Sequence, residues 1–198
     1  RQNAPSGTRI RPKLRPDIIE VQSVCQAQLS CQFRRYPGSH PRQKDQPLRI
    51  ALYQPDIPQN TGAVFRLAAC LGIPVDIIEP AGFVLSDANL RRAGMDYLDQ
   101  VEFVRHISWR AYLDAAPPER LVLLSTKATT RHVDFVFNPN DTLLLGRESS
   151  GVPDDVHDRA DARLLVPMRA ETRSLNVVTA LTFVLGEALR QTDGFPPQ

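Results

Sequence analysis

From Leu48 onward the chain alternates short apolar runs with segments of helical spacing, and this alternation constrains its fold more than any other feature. Leu48 to Tyr53 reads as a buried strand, ended by Pro55 and Pro58. Asn60 or Thr61 is placed to cap a helix whose apolar face is Val64, Leu67, Ala68 and Leu71, with Gly72 at its C-terminal cap. Val75 to Glu79 is the next strand. The pattern then predicts a short helix around Asp87 to Ala93, a strand near Val101 to Val104, and a helix over Trp109 to Ala115 stopped by Pro117 and Pro118. Leu121 to Ser125, Thr142 to Leu145 and Arg163 to Val166 are three more β-type runs. A long amphipathic helix runs from Ser174 to about Gln191, with Leu175, Val178, Leu181, Leu185 and Leu189 on one side. Strands alternating with helices predict an α/β fold: a mostly parallel sheet with helices on both faces. Ligands in such sheets bind at the carboxyl ends of the strands.

Length and composition set the outer bounds. A chain of 198 residues, 42% apolar, can bury the core of one α/β domain. No stretch approaches the roughly 18 uninterrupted apolar residues of a membrane span, and the basic start has no apolar core of a secretory signal. Cys25, Cys31 and Cys70 are odd in number and irregularly spaced, and His40, His106, His132 and His157 show no ligand spacing. No metal site or disulfide framework is expected, and a reduced cytoplasmic setting is the default.

The net charge of +2 conceals two unlike parts. Residues 1–47 hold nine Arg and Lys against three Asp and Glu, a balance of +6, whereas residues 48–198 carry −4. Six prolines (Pro5, Pro12, Pro16, Pro37, Pro41 and Pro47) and a single apolar run, Ile18 to Val24, predict a loosely attached or disordered tail over 1–47. The chain starts at Arg1, and its methionines are Met95 and Met168. That composition fits a fragment, a processed product or a translation begun upstream of the true start. The tail reads either as such an artefact or as a basic RNA-binding arm. Because the remainder is mildly acidic, any nucleic acid must be met by a local basic patch.

Three polar clusters lie against the apolar runs: Asn60-Thr61-Gly62 with Arg66, Gly146 to Gly151, and Val166-Pro167-Met168 leading to Arg173-Ser174-Leu175-Asn176. A glycine directly after a strand lets a ligand approach the backbone, but Gly146 to Gly151 also reads as a structural turn with a solvated Glu148. It is no P-loop, since no Lys-Ser/Thr follows, and the chain lacks the GxGxxG dinucleotide fingerprint. Arg66 reads equally as a solvated helix residue, Asn60 as a cap, Ser174 as the cap of the last helix and Asn176 as a local hydrogen-bonding residue. The residues alone predict a pocket at the strand ends with a carboxylate, an arginine and helix-terminal amides, suited to an anionic or zwitterionic ligand.

Taken together and in order, residues 48–198 resemble the SPOUT superfamily of S-adenosylmethionine-dependent RNA methyltransferases. They are most similar to the small tRNA ribose 2′-O-methyltransferases of the anticodon wobble nucleotide. The resemblance is carried by Leu52 to Gly62, Ile78 to Phe83, Leu90 to Tyr97, Thr126-Lys127, Gly146-Arg147-Glu148, Gly151-Val152-Pro153, Val166-Pro167-Met168 and Arg173 to Asn176. The segment Arg91 to Tyr97 points to the wobble branch in particular. The resemblance implies a C-terminal deep trefoil knot, a rare exception to the rule against knotted chains. It also implies a homodimer with the site completed across the interface.

As cofactor it implies S-adenosylmethionine, held near Leu124, Thr126, Gly146, Val166, Met168 and Ser174, with no metal. As catalytic residues it implies Arg66, Asn60, Glu148, Ser174 and Asn176. The chemistry implied is in-line attack of a ribose 2′-hydroxyl on the sulfonium methyl group. A guanidinium is a poor base, so Arg66 is read first as orienter and charge stabiliser and second as general base. Arg91, Arg92, Arg147 and Arg173 are the candidate contacts to the partner, a tRNA anticodon stem-loop, with Arg105, Arg131 and Arg169 available to the same basic patch. Arg147 stands where many relatives carry proline; it either meets RNA phosphate or pairs with an acid. Methylation of another RNA, or a knotted RNA-binding protein without catalysis, are the alternative readings.

Overall fold

The computed structural model of the chain describes residues 48–85 and 99–197. Strand β1 (Arg49–Tyr53) is followed by helix α1 (Pro58–Leu71), β2 (Val75–Ile78), β3 (Phe103–His106), α2 (Trp109–Ala115) and β4 (Arg120–Leu124). The short β5 (Thr130–Arg131) runs into a 3-10 turn (His132–Asp134). Then come β6 (Asp141–Leu145), α3 (Asp154–Arg159), β7 (Ala162–Leu165) and α4 (Val177–Thr192). The helix predicted around Asp87 to Ala93 lies outside the described residues.

The seven strands form one sheet in the order β3-β2-β1-β6-β4-β7-β5, and their pairings are parallel. Parallel neighbours require crossovers, and here helices cover both faces. Alternation along β1 separates the two layers. Ile50 and Leu52 join a core with α1 and α4, while Ala51 and Tyr53 join a second core with Tyr112 of α2 and Val156 of α3. Strands β4 and β6 divide in the same way: Val122, Leu143 and Leu145 face the first core, Leu121, Leu123 and Leu144 the second.

Two helix starts differ from expectation, and both differences matter for the site. Helix α1 begins at Pro58, flanked by Ile57, with no side-chain cap. Proline at the first helical position needs no hydrogen-bond partner and has its φ preset, so the helix starts before Asn60 and Thr61 rather than at them. Thr61 is buried and turns its hydroxyl back to the Ile57 carbonyl at 3.3 Å. At α4 it is Asn176, not Ser174, that caps: its Oδ1 accepts from the N–H of Val178 at 2.9 Å and of Thr179 at 3.4 Å. Gly72 ends α1 as expected, with φ 67° and a left-handed backbone. Strand β3 starts and ends two residues later than predicted, whereas α2 spans the predicted residues and is capped by Ser108. Strand β5 and helix α3 were not anticipated: β5 is two exposed residues, and α3 buries only Val156.

On the second face a buried ionic cluster joins three adjacent strands. Asp76 accepts from Arg49 Nε at 2.9 Å and Nη2 at 3.2 Å, and meets His106 Nε2 at 2.9 Å. Burial pushes the Asp76 carboxyl up, but the His106 hydrogen bond and the Arg49 charge outweigh it and hold the group below the usual carboxylate range.

Candidate active site at the strand ends

Register places the three clusters together. Leu52 pairs with Leu145, Leu145 with Leu124, and Leu124 with Leu164. The carboxyl ends of β1, β6, β4 and β7 therefore stand side by side, and the loops after them share one edge of the sheet. Those connections carry Asp56 and, in the first turn of α1, Asn60; Gly146 to Gly151; Ser125 and Thr126; and Val166 to Asn176 respectively. Of the residues expected to hold the methyl donor, Leu124 ends β4 and Val166 directly follows the adjacent β7, both half-buried, while Thr126 and Met168 are exposed on the loops beyond.

The loop after β6 is closed on itself. Arg147 and Gly151 exchange both backbone hydrogen bonds, at 2.9 and 2.8 Å. A Cβ on Gly146 would lie 2.6 Å from the Gly151 carbonyl carbon, so no side chain fits there, and Gly151 itself has φ 72°. The three residues between them, Glu148 to Ser150, form the tip. This is a built turn, yet Glu148 is not solvated as a bare turn residue would be. Its Oε2 accepts from the Asp56 N–H at 2.9 Å, and its Oε1 from Asn60 Nδ2 at 3.1 Å.

Asn60 can make that contact because Pro58 relieves it of capping: it sits in the first turn of α1 with its amide aimed at β6. Its Oδ1 in turn accepts from Asn176 Nδ2 at 3.0 Å, and Asn176 Oδ1 accepts from the first amides of α4. A single directed relay thus runs from the α4 N-terminus through Asn176 and Asn60 to Glu148. It joins one residue from each cluster, over separations of 116 and 88 positions. With both oxygens engaged, the Glu148 carboxyl group is held in one place beside the strand ends.

Arg147 is paired with an acid. Its Nη2 and Nε donate to Asp56 Oδ1 at 2.7 and 3.1 Å, and its Nη1 reaches Gln54 Oε1 at 3.4 Å. Arg147, and after it the Ser149 hydroxyl, hold the Asp56 carboxyl below its usual range. Sequence reading gave Asp56 no role. Its one signal was its position between Pro55 and Pro58, where the backbone leaves little freedom.

Arg66 is placed elsewhere. Six residues beyond Asn60, about 120° around the helix, it is exposed and lines a groove of about 490 Å³ between α1 and α4, with Gly62, Ala63, Cys70, Val178 and Thr182. The structure therefore brings Asn60, Glu148 and Asn176 together but sets Arg66 on a different face of the same helix. Ser174 and Arg173 are exposed on the loop before α4. Of the patch arginines, Arg105 is tied to Glu79 at 2.8 Å and to the Leu85 carbonyl, and Arg131 to Asp134. Arg91 and Arg92 lie outside the described residues. Among the described residues no cluster of His, Cys, Asp or Glu could hold a metal, and no helix is long and apolar enough to cross a membrane.

Residues 47–186 match the model of the SpoU rRNA methylase family. The chain belongs to that family. This SpoU-family chain is 60% identical, over 72% of its length and 90% of the relative's, to a tRNA (cytidine(34)-2′-O)-methyltransferase of Beijerinckia indica. It is 42% identical to a protein whose solved structure concerns the 2-OH methylation of C/U34 on tRNA, with a TM-score of 0.68 over 73% of this chain and 95% of that one. The SpoU methyltransferase AviRb of Streptomyces viridochromogenes, solved in complex with the cofactor AdoMet, is 26% identical with a TM-score of 0.65, covering 76% of this chain and 62% of that one.

Proposed function

We propose that this chain transfers the methyl group of S-adenosylmethionine to the ribose 2′-hydroxyl of the wobble nucleotide in a tRNA anticodon loop, cytidine or modified uridine. The observation that carries the reading is the relay Asn176–Asn60–Glu148, which ties the three sequence clusters into one site in a chain so similar to tRNA (cytidine(34)-2′-O)-methyltransferases. When bound, S-adenosylmethionine supplies an activated methyl on a sulfonium centre. Leu124, Thr126, Gly146, Val166, Met168 and Ser174 would hold it. Glu148 offers a fixed negative charge to a cationic centre, and Asn60 and Asn176 keep that charge in place. Arg66 orients the 2′-hydroxyl and a neighbouring phosphate and stabilises charge as the hydroxyl loses its proton; general-base action is its second option. Much of the rate then comes from holding the hydroxyl in line with the methyl group.

The separation of Arg66 from the relay within one chain supports a homodimer. A second copy seated in the α1–α4 groove would complete the site around Arg66. The C-terminal deep trefoil knot, a cytoplasmic location and a tail over 1–47 lying outside the catalytic domain belong to the same reading. Arg173, with Arg91 and Arg92, makes the proposed RNA contacts, Arg147 being engaged by Asp56 instead, and the 2′-hydroxyl as target restricts the substrate to RNA.

The test is transfer of labelled methyl from S-adenosylmethionine to bulk tRNA lacking the modification, followed by nucleoside mapping. A 2′-O-methyl group at the wobble position is the expected result. Donor binding without transfer of label to tRNA would overturn the substrate, and absence of donor binding would overturn the activity.

A further inference from the structure

We propose that Asp56 is a positioning residue that aims Glu148, acting through the residues on either side of it; the inference rests on the methyltransferase reading above. Asp56 bonds three consecutive residues of the β6 loop. Its Oδ1 takes Arg147, its Oδ2 takes the N–H of Ser149 at 3.2 Å and the Ser149 hydroxyl, and its own N–H donates to Glu148. Fixing residues 147 and 149 from one carboxylate leaves the intervening Glu148 a single direction to point. The closed Arg147–Gly151 bridge sets the height of the tip, and Asp56 sets its rotation.

Asp56 is itself immobilised. A Cβ on Gly82 would stand 3.0 Å from the Asp56 Cα, and the Gly82 N–H bonds the Pro55 carbonyl at 2.9 Å, so the loop after β2 backs it closely. Two residues earlier Gln54 has φ 48°, a conformation uncommon for a non-glycine residue. Its N–H is pinned to the Ile78 carbonyl at 2.8 Å and its side chain to Arg147. The chain thus leaves β1 through a strained bend, the bend that carries Asp56 to the β6 loop. Backbone strain of this kind gathers where geometry serves a site. A carboxylate that only stapled two loops would have no reason to bracket Glu148 on both sides.

A double-variant cycle on the full chain separates the two roles. Asp56→Ala, Asp56→Asn, Glu148→Ala and Asp56→Ala/Glu148→Ala are compared by single-turnover methyl transfer to tRNA, by KM for tRNA and by thermal unfolding. Asp56→Ala is expected to slow transfer by about 10- to 100-fold, as displacement of a positioning group by about 1 Å does, with KM for tRNA little changed. Asp56→Asn, which keeps an acceptor oxygen and the side-chain shape, recovers part of the rate. In the Glu148→Ala background the same Asp56→Ala change should cost less than about twofold, because the group it aims is gone. Multiplicative losses in the double variant, or rate losses that follow unfolding temperature alone, would overturn the inference. A wild-type chain that transfers no methyl group would overturn the functional reading and this inference with it, whereas an active wild type with multiplicative losses would overturn this inference alone.

Discussion

Single residues in this site carry separable duties, and substitutions can divide them. Asn176 both caps α4 and donates to Asn60. Aspartate caps a helix about as well as asparagine, but has no amide to donate. Asn176→Asp should therefore keep the unfolding temperature near that of the parent while lowering methyl transfer at least tenfold; Asn176→Ala should lose both, with about 0.5–2 kcal/mol of stability going with the cap. Comparing melting curves with initial rates of the two variants checks the division. Arg66→Ala should abolish transfer and leave donor binding near normal when titrated by calorimetry, and unchanged turnover would remove Arg66 from its role. At Gly146 the issue is space. An added methyl meets the Gly151 backbone, which is not a yielding side-chain end, so Gly146→Ala should distort the loop, cost about 1–3 kcal/mol and weaken donor binding together.

At the scale of elements, the sheet was legible because burial on both faces makes the strands nearly continuous apolar runs. Ile50 to Tyr53 and Thr142 to Leu145 are plain in the sequence for that reason. Strand β5 was not, because two exposed residues on the sheet edge carry no apolar pattern. The first turn of α1 was misread because Pro58 and a polar cap compete to start the helix, and the proline prevails. The members of the site were visible as clusters, but their partners were not: the pairing of Asp56 with Arg147 and the bracketing of Glu148 depend on register across the sheet, which local spacing does not encode.

The buried cluster of β1, β2 and β3 makes a further prediction at this scale. The native Asp76 carboxyl titrates below its unfolded value, so its contribution is complete above about pH 4 and is lost as pH falls toward the native value. Urea midpoints of the wild type should drop on acidification more steeply than those of Asp76→Asn. Asp76→Ala, which removes the buried carboxylate that both Arg49 and His106 meet, should cost about 3–5 kcal/mol at neutral pH.

For the whole molecule, the two cores among the described residues draw on Leu48 to Leu189, and the family match spans 47–186. Deleting residues 1–47 should accordingly leave folding and donor binding intact; loss of activity without loss of folding would identify the tail as an RNA-binding arm, and a destabilised truncation would show it to be part of the domain. The sheet order has a consequence for how the chain is made. The first strand, β1, lies beside β6, and 92 positions separate Asp56 from its partner Glu148. At about 5–20 residues per second, a ribosome takes roughly 5–20 s to travel that distance. Until β6 emerges, β1, β2 and β3 have an open edge on the side of β1, with Ile50 and Leu52 short of part of their cover. The centre of the finished sheet is thus bridged late, by β6, and only β7, set between β4 and β5, joins after it; the half-made domain is the form most in need of protection from its neighbours.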